Sequence, residues 1–184
     1  MSRARGVATL AIALVLAVGL AGCASIPLST IWKMRNFSAA SLAAIDPAQV
    51  RVGVLVEPGS GRIDPGKSTL QVTLTPKEGA PEVHRFGLQR ARVQGGAVVP
   101  GGDPRWQVLQ LDAAGATAMR ALMPRFEHLE RDYSGWTLNV GAGGMDPPPA
   151  GTQFMFISIR VQLADDQDPI VLFDRAKVAM EPAG

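Results

Sequence analysis

Gly61-Arg62-Ile63-Asp64-Pro65-Gly66-Lys67-Ser68 spells the G-x-x-x-x-G-K-S pattern that cradles nucleotide phosphates in other chains. That chemistry needs a helix starting at the Lys-Ser pair, whose first amides and dipole meet the phosphate. Here Ser68 to Leu74 alternates polar and apolar residues and is stopped by Pro76, the signature of a strand. The segment is therefore read as a hairpin turn, and no nucleotide is expected. Gly141-Ala142-Gly143-Gly144 hints at a dinucleotide fingerprint. It lacks the third glycine, and Pro147-Pro148-Pro149 forbids the helix that must follow, so it is read as a loop without a cofactor.

The remaining chemistry-bearing residues are sparse. His84 and His128 are the only histidines, one expected on a strand and one on a helix, and Glu127, His128 and Glu130 make no i,i+4 ligand pair. No metal site is expected. Asp165, Asp166 and Asp168 lack the glycine and terminal glutamate of a calcium loop, which leaves a solvated turn. Ser60 lies between glycines, but Pro58 stands where a nucleophile elbow needs its first glycine. No Ser/His/Asp set emerges, so the chain is not expected to be an enzyme.

One residue carries a stronger signal. Cys23 is the only cysteine, and it ends Leu20-Ala21-Gly22-Cys23. Before it, Arg3 and Arg5 precede an uncharged run from Val7 to Leu20, about 14 residues, short of the roughly 20 needed to span a bilayer. Residues 1–23 resemble a bacterial lipoprotein signal peptide with its lipobox. The resemblance implies cleavage before Cys23, diacylation of its thiol and acylation of the freed amine, with palmitate among the expected chains. Two or three acyl chains anchor stably where one does not. Ala24, rather than aspartate, is similar to the outer-membrane sorting pattern of Gram-negative lipoproteins. Residues 1–22 are thus expected as a cleaved signal, 23–30 as a short lipidated tether, and 31–184 as a single β-rich periplasmic domain.

Composition agrees with that layout. Arg3 and Arg5 leave with the signal, so the remaining Lys and Arg balance the 16 acidic residues. No clustered basic run exists for nucleic acid to meet. With 20 glycines, 14 prolines and 5% aromatics, the chain suits many short strands around an aliphatic core.

The elements follow from periodicity. Trp32 with Lys33 and Arg35 fits either an interfacial contact or, as the preferred reading, a first packed element; Ser38 to Ile45 fits a short helix. Strands are expected over Val50–Val56, Leu70–Leu74, Val83–Val93, Trp106–Leu111, Trp136–Val140, Phe154–Leu163 and Ile170–Met180, the last two as a hairpin. Asp112 should cap an amphipathic helix reaching about Arg131, with Glu127 and Arg131 paired and Pro124 kinking or dividing it. The fold class is mainly β: a sandwich of about seven antiparallel strands, loosely immunoglobulin-like, with one helix inserted near 112–131. The alternative is a single antiparallel sheet covered by the helix.

Functionally, the expectation is a lipid-anchored, non-catalytic envelope lipoprotein, in the outer membrane and facing the periplasm, that binds or scaffolds an envelope partner. The mature region is similar to small, uncharacterised proteobacterial lipoproteins. The alternatives are a subunit of a secretion or transport assembly, by analogy with the anchored sandwich of type VI secretion, and a carrier of an apolar ligand held under the Met-rich helix face.

Overall fold

The computed structural model describes residues 43–58, 61–92, 96–146 and 149–179. Cys23, the tether, the Trp32 segment and most of the 38–45 helix lie outside the described residues.

Seven antiparallel strands form the body: β1 (Arg51–Glu57), β2 (Thr69–Pro76), β3 (Glu82–Arg90), β4 (Gln107–Leu111), β5 (Tyr133–Gly141), β6 (Phe154–Gln162) and β7 (Ile170–Ala179). Helix α1 (Ala113–Phe126) and the short α2 (Leu129–Asp132) fall between β4 and β5, as the periodicity predicts. The strands hydrogen-bond into one sheet, ordered β5-β2-β3-β4-β1-β6-β7. Of the two arrangements expected, the single sheet is the one observed; the strands do not stack as two separate layers.

Strand β3 is the reason. Its first half pairs with β2, from Glu82↔Leu74 to Gly87↔Thr69. Its last three residues pair with β4, from Leu88↔Leu111 to Arg90↔Leu109. One strand therefore turns the corner between two groups that would otherwise face each other, and the sheet curls into a nearly barrel-shaped body. All seven strands send side chains into one core, including Val52, Leu70, Phe86, Leu109, Leu138, Ile159 and Ile170.

Asp112 caps α1 as expected, its Oδ1 accepting from the Gly115 amide at 2.6 Å. Met119, Leu122 and Phe126 lie in the core, so this face closes the barrel interior. The helix ends two residues beyond Pro124 and restarts at Leu129. That break removes the i,i+4 geometry expected of Glu127 and Arg131. Arg131 instead pairs with Asp132, whose carboxyl it holds below the ordinary range through their side-chain hydrogen bonds.

The outer face of β1 is also covered. Residues 96–103 fold across it, and a Cβ on Gly53 would lie 2.8 Å from the Val98 carbonyl oxygen. Val98 is fully buried there, in a small second cluster with Ala91 and Val108. Glycine at 53 is what allows this close approach.

Candidate functional site

The two glycine-rich motifs meet each other rather than a ligand. Ser68 is followed by β2, not by a helix, and Pro65–Lys67 form one 3-10 turn capped by the Asp64 side chain. The Asp64 amide donates to the carbonyls of Gly143 and Gly144, at 3.2 and 3.0 Å. The Asp146 amide donates to Arg62 O at 2.9 Å, and the Gly143 amide reaches Ser68 Oγ at 3.4 Å. A Cβ on Gly143 would fall on the Lys67 carbonyl oxygen, and one on Gly144, where φ is +60°, would lie 2.7 Å from Asp64 Cβ. These glycines let two backbones interlock, and the amides a phosphate would need are already taken.

The histidines are apart. His84 sits on β3 with Nε2 3.5 Å from Glu82 Oε2, and that carboxylate also receives Arg125 from the end of α1. His128 occupies the junction between α1 and α2. Among the described residues no three His, Cys, Asp or Glu side chains gather as a metal set. Asp165 and its neighbours form the β6–β7 turn, held by the buried Gln162 amide donating to the carbonyls of Asp165 and Gln167.

A different set of residues forms a cleft. Glu57, Pro58, Arg105, Gly151–Gln153, Phe154, Phe156 and Arg175 line a volume of about 770 Å³ at one end of the sheet. The size lies within the range of small-molecule sites. A second cleft of about 360 Å³, lined by Arg62, Arg90, Pro104, Arg105 and Gln107, adjoins it across Arg105. Between them the Gln107 amide staples the preceding loop, donating to Gly61 O at 2.8 Å and accepting from the Ile63 amide at 3.1 Å.

Glu57 is the hub of the larger cleft. It ends β1, where the sheet register sets it beside Phe156 of β6. Its Oε1 accepts from Arg105 Nη1 at 3.1 Å, and its Oε2 accepts from Arg175 Nη1. Arg105 also grips Asp103, with Nη2 2.7 Å from Oδ2 and Nε 3.1 Å from Oδ1. The Arg105 side-chain hydrogen bonds hold the Asp103 carboxyl below its usual range, and Asp103 raises the guanidinium pKa in return.

Arg175 has the most unusual backbone. Its φ is +51°, the only positive value at a non-glycine among the described residues. The β6–β7 register slips here, Ile157 facing Ala176 while Ile159 faces Phe173. The Arg175 amide, freed from the ladder by this bulge, donates to the buried Ser158 Oγ at 3.0 Å. The bulge aims the guanidinium across Phe156, 5.0 Å from the ring centroid. Beside it, Lys177 Nζ stands 3.6 Å from the Phe154 ring centroid, and Phe154 is one of three large apolar residues exposed among those described.

The cleft therefore offers flat apolar rings, guanidinium donors and a strained backbone position, the materials of ligand binding. Sequence reasoning marked none of these residues as a site. Arg105 and Arg175 stand 48 and 118 positions from Glu57, with no local motif joining them. A single signal was available: Arg175 and Lys177 lie two apart on the last strand, and Phe154 and Phe156 lie two apart on the strand before it.

The chain matches no protein-family model, and neither the curated proteins nor the solved structures yield a match.

Proposed function

We propose that this protein is a lipid-anchored, non-catalytic binding module of the bacterial envelope, held at the outer membrane through Cys23 and facing the periplasm, with the Glu57–Arg105–Arg175 cleft as its binding site. The single observation that carries the reading is the cleft itself, whose charged and aromatic lining comes from four separate parts of the chain.

The cleft is remote from the start of the described chain. The described chain enters at the opposite end of the sheet, where Gln49 Oε1 accepts from the Asp165 amide of the β6–β7 turn. Strand β1 runs from there to Glu57, seven residues, or about 20 Å at ordinary strand rise. The cleft thus lies at the far end of β1 from the point where the described chain enters. The one hydroxyl of the lining, Thr152 Oγ1, donates to Pro149 O at 2.6 Å. The carrier alternative has less behind it, since Met119, Leu122 and Phe126 pack in the core and line neither cleft described above.

The test has two arms. Mass spectrometry of the mature protein is expected to find a diacylglyceryl thioether at Cys23, and Cys23→Ser to move the protein from the membrane to the aqueous fraction. A photo-crosslinking residue at Phe154 is expected to capture an envelope component that the same residue at Val83, exposed on β3, does not. An unmodified thiol on freely soluble mature protein would overturn the anchor; identical capture from both positions would overturn the cleft.

A further inference from the structure

We infer that the cleft selects a singly charged carboxylate carried on a flat apolar body, and that Arg175 is the residue that reads the carboxylate. This rests on the binding-module reading above and names its ligand class.

Charge comes first. The lining carries one negative charge, Glu57, and two positive ones, Arg105 and Arg175, while Asp103 behind Arg105 and Lys177 over Phe154 add one charge of each sign just outside it. One anionic charge completes the balance. A dianion such as phosphate would bring surplus negative charge close to Glu57 and Asp103, which favours a monoanion.

Geometry selects the donor. Arg105 is spent, with Nε and Nη2 on Asp103 and Nη1 on Glu57. Arg175 uses Nη1 for Glu57, and among the described residues its Nε–Nη2 edge has no partner. That edge presents two parallel N–H groups, the fork that matches a planar carboxylate. Phe156 and Phe154 line the cleft with Arg175 over one ring and Lys177 over the other, so a flat apolar group on the ligand has ring edges and a guanidinium plane to pack against.

The backbone adds that this side chain is held at a disfavoured position. At φ +51° a glycine would sit without strain, whereas an arginine there is disfavoured by contact of its Cβ with the following carbonyl oxygen. The chain carries arginine at the position where glycine would serve the fold best. From there the side chain holds Glu57 and covers Phe156.

The position also supplies a clean test, because Arg175→Gly deletes the guanidinium while suiting the backbone. The full-length protein in a non-ionic detergent is titrated with 4-phenylbutyrate, with the uncharged 4-phenylbutan-1-ol and with inorganic phosphate, following the amides of Phe154, Phe156 and Arg175 by nuclear magnetic resonance. The carboxylate is expected to bind about tenfold or more tightly than the alcohol, the increment of a charge-assisted fork, and more tightly than phosphate. Arg175→Gly is expected to erase that preference while keeping the far-ultraviolet spectrum and melting temperature, and Arg175→Lys to weaken it several-fold. N-acetyl-phenylalanine and its amide form a further arm: selection of the acetylated acid over 4-phenylbutyrate identifies a peptide C-terminus as the source, and the reverse a free organic acid. Equal binding of acid and alcohol overturns the carboxylate and leaves the cleft as a site. Unchanged preference in a folded Arg175→Gly overturns the role of Arg175. No shift with any probe overturns both this inference and the cleft reading.

Discussion

Two loop clusters share one end of this sheet and use their polar groups in opposite ways. Where residues 61–68 meet 141–146, amides and carbonyls are consumed by one another, and glycines bring the backbones into contact. Where Glu57, Arg105 and Arg175 meet, the bonds are between side chains, two guanidinium groups remain more than half exposed, and an open volume lies between them. The first cluster is a joint, and the second is the site we propose. A motif that spells phosphate binding can thus be structural, while a cleft with no motif keeps its charged groups exposed.

That contrast can be broken most forcefully at the joint. Gly143→Ala would push a methyl onto the Lys67 carbonyl oxygen, and is expected to destabilise the protein by about 2–3 kcal/mol, the scale of overpacking a tight interior contact. Urea denaturation checks it, and a loss below half a kilocalorie would mean the two loops are not locked. At the site, Arg175→Gly should change stability by less than about 1 kcal/mol. Relief of the left-handed backbone offsets an exposed ion pair and one cation–ring contact. A larger loss in the same denaturation series would make the arginine a structural brace.

Smaller still is Lys67→Ala, which removes the cation that a phosphate loop depends on. Its side chain is 70% exposed and meets Asp64 only at 3.8 Å, so the melting point should move by no more than about 0.5 kcal/mol equivalent. Nucleotide-dependent stabilisation of the native protein that this variant abolishes would reverse the assignment of joint and site. The least effect belongs to acid. Because Asp103 titrates lower in the folded protein than in the unfolded chain, its contribution is complete above the ordinary aspartate pKa of about 3.9. It is lost only as pH falls through the lower folded value. Acid melts of the wild type and Asp103→Asn should therefore run parallel above pH ~4 and converge slightly below it; parallel curves throughout would remove Asp103 from the linkage.

Much of the fold was legible because it is written in local periodicity. The alternation of Val52, Val54 and Val56, or of Leu70, Val72 and Leu74, marks strands that the structure extends by only a residue or two. Asp112 and the Met119–Leu122–Phe126 spacing mark the helix in the same way. The number of sheets was not legible, because it depends on β3 changing partners at Leu88, and nothing in Glu82–Arg90 announces a change of neighbour. The ion pair expected of Glu127 and Arg131 failed for a related reason: spacing assumes a continuous helix, and the chain breaks after Pro124. The cleft was illegible because sheet register, not sequence proximity, brings Glu57 beside Phe156.

The seating of Val98 on Gly53 has one more consequence. Strand β1 is flanked by β4 and β6, dry on its inner side against the core and dry on its outer side beneath that loop. Its peptide protons can trade with solvent only when the whole body opens, so they should be the slowest to take up deuterium. The carboxylate at the tip of that strand is then fastened to the least yielding part of the molecule, and anything held there sits on a fixed post.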